Sequence, residues 1–210
     1  MIIIGLTGGI ASGKSTTAVM FRERDIPLHD ADAAVHEMMA PGGVAVDRVA
    51  AAFGREILAP DGSIDRQRLG RQVFANPDRR KLLESIIHPL VAASRDSFLA
   101  HNRQAGAPLV VLDIPLLFET GGEAICDFVI LCSADPDIQK QRALSRPGMT
   151  QDKLDAILQS QMPLATKRAM ADAVIETDHG LEAARRSLQA ILDGPVRELG
   201  ETKNRGGRDA

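Results

Sequence analysis

The sequence predicts an α/β protein organised on a parallel sheet, and three observations predict it. Short, β-branched, uncharged runs recur along the chain; segments of helical composition separate them; and the first run passes through a glycine-rich turn into a helix. Strands that alternate with helices imply parallel pairing, because a parallel pair needs a crossover that a helix supplies. The 210 residues suit one domain, or a core carrying one insertion.

Met1–Thr7 reads as a strand buried on both faces. Lys14–Arg24 has helical composition, and Ile26–His29 is a second short strand that leads into Asp30-Ala-Asp32. From Ala33 to Asn102 the pattern is helical and polar, broken at Pro41-Gly-Gly43, Pro60-Asp-Gly62 and Asn76-Pro77. Within it Asp65 caps a helix over Arg66–Phe74, and Leu82, Ile86, Ile87 and Leu90 form an apolar face. This stretch contains no convincing strand, so about 33–103 reads as a helical insertion. Leu109–Ile114, Phe128–Cys132 and Ala173–Ile175 are the remaining strands. Between them Asp137–Arg146 and Asp152–Ala171 are helical, and Leu181–Leu192 is a final amphipathic helix. From Arg197 on, glycine, charged and polar residues predict a frayed tail, disordered over 201–210. There are no internal repeats, and 1–200 reads as one domain.

Hydrophobic residues make up 44% and charged residues 25%, enough apolar material for a sizeable core. The net charge of −3 lacks the electrostatic footprint of a nucleic-acid binder, and with no Trp, no Tyr and six Phe, base-stacking platforms are scarce. Cys126 and Cys132 are too far apart for a C-x-x-C motif, and no Cys/His run has zinc spacing. Both read as core thiols in a reducing cytoplasm. The apolar start is too short for a signal peptide, and no apolar run reaches bilayer length, so neither export nor a membrane partner is expected.

Gly8-Gly-Ile-Ala-Ser-Gly-Lys-Ser15 matches G-x-x-x-x-G-K-S/T in full, with Thr16 beside it. Glycines at Gly8, Gly9 and Gly13 let backbone N–H groups around Ala11 and Ser12 turn inward on phosphate oxygens. The helix that starts near Lys14 adds the positive end of its dipole. Lys14 supplies a mobile charge for the β- and γ-phosphates of ATP, and the Ser15 hydroxyl suits Mg2+. A buried strand before the motif and a helix after it supply the context the motif requires.

A P-loop alone does not separate kinases from GTPases. Here no Asp has Gly three residues on, and N-K-x-D is missing, so the GTPase switch and guanine-reading motifs are not in the sequence. A small-molecule kinase needs a carboxylate near the acceptor hydroxyl, an acceptor pocket, and arginines for the moving phosphoryl group. Asp30-Ala-Asp32 follows the second strand, where residues two apart share a side. Asp32 is the candidate general base or hydroxyl positioner and Asp30 its support; two solvated turn aspartates are the plain alternative. His29 and His36 read as ordinary polar neighbours. Arg142 and Arg146, four apart on a predicted helix, could both reach one ligand on a lid over about 137–165, or form a solvated basic face. Asp113 ends a buried strand, as a magnesium-side carboxylate or a strand-end cap would.

Taken together, the chain resembles the bacterial dephospho-coenzyme A kinase family. The matching segments are Leu6–Thr16, Asp30-Ala-Asp32, Phe74-Ala-Asn-Pro77, His88-Pro89, Pro115-Leu-Leu-Phe-Glu119, Gln139 with Arg142, and Gln161 with Lys167 and Ala171-Asp172. The resemblance covers Ile4 to about Gly180. It departs where many members carry an Arg shortly before the glutamine matching Gln161, and where Glu176–Gly180 replaces an Asn-Gly pair.

The resemblance implies phosphorylation of the ribose 3′-hydroxyl of dephospho-CoA by ATP, the last step of coenzyme A biosynthesis. It implies a parallel-sheet, P-loop, nucleoside-monophosphate-kinase-like core with a helical acceptor-binding insertion and a lid. Asp32 would face the acceptor hydroxyl, and Lys14 and Arg142 the moving charge. Thr7, His88, Pro115, Leu116 and Glu119 would shape the substrate side. No obligatory protein partner is expected. Another P-loop kinase acting on a nucleoside or nucleotide, and a nucleotide-dependent binding module, are the rival readings.

Overall fold

The structure, a computed structural model, describes residues 1–74 and 76–206. In chain order the first elements are β1 (Ile2–Gly8), α1 (Lys14–Arg22), β2 (Leu28–Asp30), α2 (Ala31–Met38), α3 (Val46–Phe53), α4 (Arg66–Phe74) and α5 (Pro77–Gln104). Next come β3 (Leu109–Asp113), β4 (Phe128–Ser133), α6 (Pro136–Leu144), α7 (Gln151–Ser160) and α8 (Leu164–Met170). The chain continues through β5 (Ala173–Glu176), α9 (Leu181–Ile191), a π-helical turn at Leu192–Val196, and α10 (Arg197–Gly206). It divides into two compact units, one built from Met1–Leu28 with the chain from Asn102 onward, the other from His29–His101.

The strands form one five-stranded sheet in the order β2-β3-β1-β4-β5. β1 is central and pairs in parallel with both β3 and β4, and β4 with β5. Every residue of β1 and of β4 is buried, which is why both read as unbroken apolar runs rather than alternating ones. Ile4, Leu6 and Ile130 pack with Met20 and Phe21 of α1 and Leu188 and Ile191 of α9 into the core of this unit. Each such side chain, fully buried, stabilises the fold by about 1.5–3 kcal/mol. The crossover order brings the C-terminal ends of β1, β3 and β4 side by side, where α/β sheets present ligand sites.

Several boundaries differ from the sequence expectation in this unit; α1, for one, ends at Arg22 and not Arg24. The helix expected over Asp152–Ala171 is two helices, because Gln161-Met162-Pro163 turns the chain between α7 and α8. α6 stops at Leu144, two residues short of Arg146. The chain from Arg197 is not frayed as far as it is described. α10 follows on α9, Val196 is buried, Leu199 packs against the core, and Lys203 pairs with Asp127 at 2.5 Å. Its polar composition hid a docked helix because one buried Val and one Leu suffice to anchor it. Residues 207–210 of the expected tail, and Ala75, lie outside the described residues.

The unit His29–His101 has its own core. Met38, Val49, Phe53, Ile57, Ile64, Leu69 and Ile87 are buried together. Asp65 accepts the Gln67 and Arg68 N–H groups at 3.0 Å each and so starts α4. Asn76 does the same for α5, accepting from Asp78 and Arg79 at 3.1 Å each. Leu82 lies outside the expected apolar face, at 43% exposure; Leu83, Ile86, Leu90 and Val91 pack on the core with Ile87. Pro89 sits inside α5, which continues through it with one backbone donor fewer. Among the described residues the only strand-like pairing beyond the sheet is an antiparallel bridge between Leu58 and Ile64. No helix among the described residues is long and apolar enough to cross a membrane.

Candidate active site

The turn between β1 and α1 is shaped by backbone geometry. Gly13 has φ +87°, and a Cβ there would lie 2.7 Å from the Thr177 side chain, so both conformation and space require glycine. Ala11 also adopts positive φ, at 57°, a strained choice for a residue with a Cβ. No side chain caps α1 at Gly13, which leaves its first N–H groups for an anion.

Lys14 is held over this turn. Its Nζ donates to Asp113 Oδ1 at 2.5 Å, and the two side chains are only 14% and 3% exposed. The sheet explains the meeting. Leu6 is in register with Asp113, so β3 ends its buried run beside the last residues of β1. Thr7 donates its hydroxyl to Pro115 O at 3.0 Å and holds the chain that leaves β3. Behind the turn, Gly8 is in register with Cys132, whose thiol burial pushes up to about 12. Cys132 is thus a protonated core thiol.

The helices after β4 grip the same turn. Gln139 of α6 donates to Ile10 O at 2.5 Å, and Gln161 accepts from Ile10 N at 3.3 Å. Arg142, one turn beyond Gln139, donates to Thr177 Oγ1 at 2.9 Å and Thr177 O at 2.8 Å. Thr177 in turn donates to Ser12 O at 2.9 Å. Arg142 is therefore tied to the phosphate turn through one threonine. Arg146 is not its partner on a helix face. It lies beyond the end of α6 and is exposed, because Ser145 closes the helix.

Glu119 accepts from Met162 N at 2.8 Å and pairs with Lys167 at 2.7 Å. Burial pushes its carboxyl up, but the Lys167 ammonium and the Met162 N–H outweigh this and hold it below the ordinary value. The chain here encloses a cleft of about 170 Å³ lined by Gly9, Ser12, Gln139, Gln161 and Lys167 among others. Leu116 stays 39% exposed, between buried Leu117 and half-buried Pro115.

Within the other unit, the strand-spacing argument for Asp30 and Asp32 does not hold. β2 ends at Asp30, whose Oδ1 accepts Ala33 N at 3.0 Å and caps α2. Asp32 stands exposed in the first helical turn, where its charge suits the dipole. His29 is buried, bonded to Ser94 at 3.1 Å with its ring tilted against Phe98, and burial lowers its pKa. His36 meets Arg66 at 3.1 Å. His88 is exposed along α5 before Pro89, not packed at a helix end.

Ser15 and Thr16 are exposed on the first turn of α1. A hydroxyl at Ser15 and the buried Asp113 carboxylate are hard oxygen donors of the kind Mg2+ takes, with nucleotide phosphates and water completing the shell. The described residues contain no group of three or more His, Cys, Asp or Glu side chains able to hold a metal.

A family model described as Dephospho-CoA kinase matches residues 2–183. The chain belongs to the dephospho-CoA kinase family. It is therefore a transferase of the final step of coenzyme A biosynthesis, with ATP as the nucleotide substrate its kinase family implies. A dephospho-CoA kinase of Mesorhizobium japonicum is 52% identical over 193 residues, which covers 92% of this chain and 96% of that one. One of Paramagnetospirillum magneticum is 54% identical over 168 residues, covering 80% and 78%. A crystal structure from Thermus thermophilus superposes with a TM-score of 0.76 at 36% identity, covering 92% and 97%. A dephospho-CoA kinase of Campylobacter jejuni, at 23% identity and a TM-score of 0.63, shares the fold. These findings do not favour the reading as another nucleoside or nucleotide kinase.

Sequence reasoning matched Gln139, Gln161 and Lys167 to the family's motifs without giving them roles, and it passed over Thr177. Gln139 and Arg142 lie three apart on α6, a helical spacing that signals one shared face.

Proposed function

We propose that Gly8–Thr16 cradles the triphosphate of ATP, that Lys14 and Arg142 neutralise the moving phosphoryl group, and that Asp32 takes the acceptor proton. The acceptor is the ribose 3′-hydroxyl of dephospho-CoA. The observation that carries this reading is the Lys14–Asp113 pair at the mouth of the phosphate turn. It holds a cationic donor and a magnesium-side carboxylate together where β1 and β3 end, the parts a P-loop kinase uses.

Ser15 and Asp113 would hold Mg2+, which would supply neutralisation of phosphate charge. The chain's own groups do the rest. Backbone N–H groups of the turn orient the phosphates, and Gln139 and Gln161 hold the Ile10 peptide in place. Residues 33–103 bind the acceptor, with His88 on the substrate side, and 137–165 act as the lid. Thr7 holds Pro115, and with Leu116 and Glu119 this loop borders the acceptor. Asp30, as the cap of α2, fixes the turn that carries Asp32. Arg146, beyond the end of α6, can swing independently to ATP. The protein acts in the cytoplasm, where its two free thiols stay reduced.

Coupled ADP release with ATP and Mg2+ tests the reaction, with dephospho-CoA, CoA, adenosine and AMP as acceptors. Fast turnover with dephospho-CoA alone, giving CoA by mass and stopped by EDTA until Mg2+ is restored, is expected. Turnover with AMP or adenosine, or none that depends on an acceptor, overturns the reading.

A further inference from the structure

Two lysines flank the phosphate turn, and Lys14 accounts for only one of them. Lys167, on α8, is the other. Its side chain is 2% exposed, as buried as a core leucine, yet it carries an ammonium with three donors. Its one ionic contact among the described residues is Glu119 Oε1 at 2.7 Å, which leaves most of the ammonium's three donors without an acceptor. Burying a charge on such terms is costly.

A second group short of partners belongs to a residue lining the same space. The Ser12 hydroxyl, in a residue 3% exposed, has no hydrogen-bond partner. Ser12 and Lys167 both line the cleft of about 170 Å³, with Gly9, Cys132, Ser133, Gln139 and Gln161 as the rest of its polar wall. That is room for several waters at about 30 Å³ each. Buried polar groups are almost always satisfied, so an ammonium with donors to spare and a hydroxyl without a partner, lining one cleft on the phosphate turn, ask for a ligand that accepts hydrogen bonds. A phosphoryl oxygen held at Gly9–Ser12 meets that need: it is anionic, it accepts, and the turn already offers it backbone donors.

We propose that Lys167 is a second phosphoryl lysine, a catalytic residue that donates to an oxygen of the transferred group, with Glu119 as the positioning residue that keeps it charged and aimed. This rests on the reading of Gly8–Thr16 as the triphosphate site. In the step, the acceptor oxygen forms a bond to the γ-phosphorus. The bond from that phosphorus to the bridging oxygen breaks, its electron pair leaves with ADP, and the hydroxyl proton passes to Asp32. Lys167 keeps its protons. It strengthens its hydrogen bond as charge spreads over the equatorial oxygens, where a fixed cation in a dry site stabilises most. Glu119 belongs to the loop after β3 and also accepts from Met162 N, so it sets the lysine against the corner between α7 and α8.

The test compares Lys167→Met, Lys167→Arg and the charge-free double variant Glu119→Gln/Lys167→Met with wild type. The readouts are kcat, and the affinities for ADP and for the β,γ-imido analogue of ATP. Expected for Lys167→Met is a kcat about a hundredfold lower, the size seen when one transition-state donor is removed. Affinity for the imido analogue falls at least tenfold while that for ADP is unchanged, and Lys167→Arg recovers part of kcat. Equal weakening of ADP and analogue makes Lys167 a packing residue and overturns the proposal. If Lys167→Met does not fold, the double variant carries the same comparison, since it leaves no buried charge unpaired; wild-type kcat there also overturns it. Lys14→Ala separates the two readings. An active Lys14→Ala enzyme removes the triphosphate site itself, whereas an inactive one beside a fully active Lys167→Met enzyme removes only the role of Lys167.

Discussion

The phosphate turn and the corner between α7 and α8 each hold a lysine against a carboxylate, and they are built in opposite ways. At the turn, Lys14 stands in a contiguous motif, 14% exposed, and meets Asp113 because β1 and β3 run in register. At the corner, Lys167 is 2% exposed and meets a glutamate from a distant loop, beside a hydroxyl and a cleft. The first is a local backbone device with a side chain attached. The second exists only through packing. The difference teaches that a charge in a phosphate site can be supplied by a motif or by burial, and that only the former is readable by eye.

The sharpest way to break the comparison is at Lys14. Lys14→Ala is expected to lower coupled ADP release a thousandfold or more, on the order of an essential phosphate-side cation. Thermal unfolding should also move down, since Asp113 loses its ammonium partner while buried; an unchanged rate would show that the motif lysine is dispensable. A substitution at the start of α2 follows in size. Asp32→Asn should cost about a hundredfold in kcat with both substrate affinities kept, as loss of a general base does. A raised KM for dephospho-CoA at unchanged kcat would make Asp32 a binding residue instead.

Smaller effects sharpen the contrast. Thr177→Val removes the hydroxyl between Arg142 and Ser12 but leaves the bond from Arg142 to the Thr177 carbonyl. One of two charged hydrogen bonds is lost, so kcat should fall about tenfold; a hundredfold loss would place the whole role of Arg142 on that hydroxyl. Glu119→Gln is smallest on activity and is read by acid unfolding. The folded-state pKa of Glu119 lies below its ordinary value near 4.5. Its stabilisation is therefore complete above that value and disappears as pH falls through the lower, folded one. Wild type should lose stability over this acid range, and Glu119→Gln should be less stable at neutral pH with a flatter acid limb. Parallel acid limbs would show that the Lys167 pair contributes nothing.

Much of the fold was legible because burial on both faces of a central strand demands an uninterrupted apolar run, as in β1 and β4. The P-loop was legible for a related reason: glycines at close-approach positions and a lysine at the start of a helix are local requirements. The start of α2 was misread. Asp30-Ala-Asp32 follows the second strand and its spacing suggests a shared side, but Asp30 caps a helix, and capping is a competing use of the same residue type. Arg146 lies two residues past the end of α6, which Ser145 closes, and so off the expected helix face. α10 was missed because two apolar residues anchor it, too few to register as a period.

What the sequence by itself determined are the parts whose physics is local: strands through burial, the phosphate turn through glycine, the start of α4 through Asp65. It determined the family too, since an ordered set of such motifs is specific. Tertiary structure alone decided which distant groups share one environment. Gln139 and Gln161 bond the carbonyl and the N–H of Ile10, Thr177 joins Arg142 to Ser12, and Glu119 meets Lys167. None of these pairs has a sequence period, because a hydrogen bond between remote residues depends on the crossover order of the sheet and not on spacing along the chain.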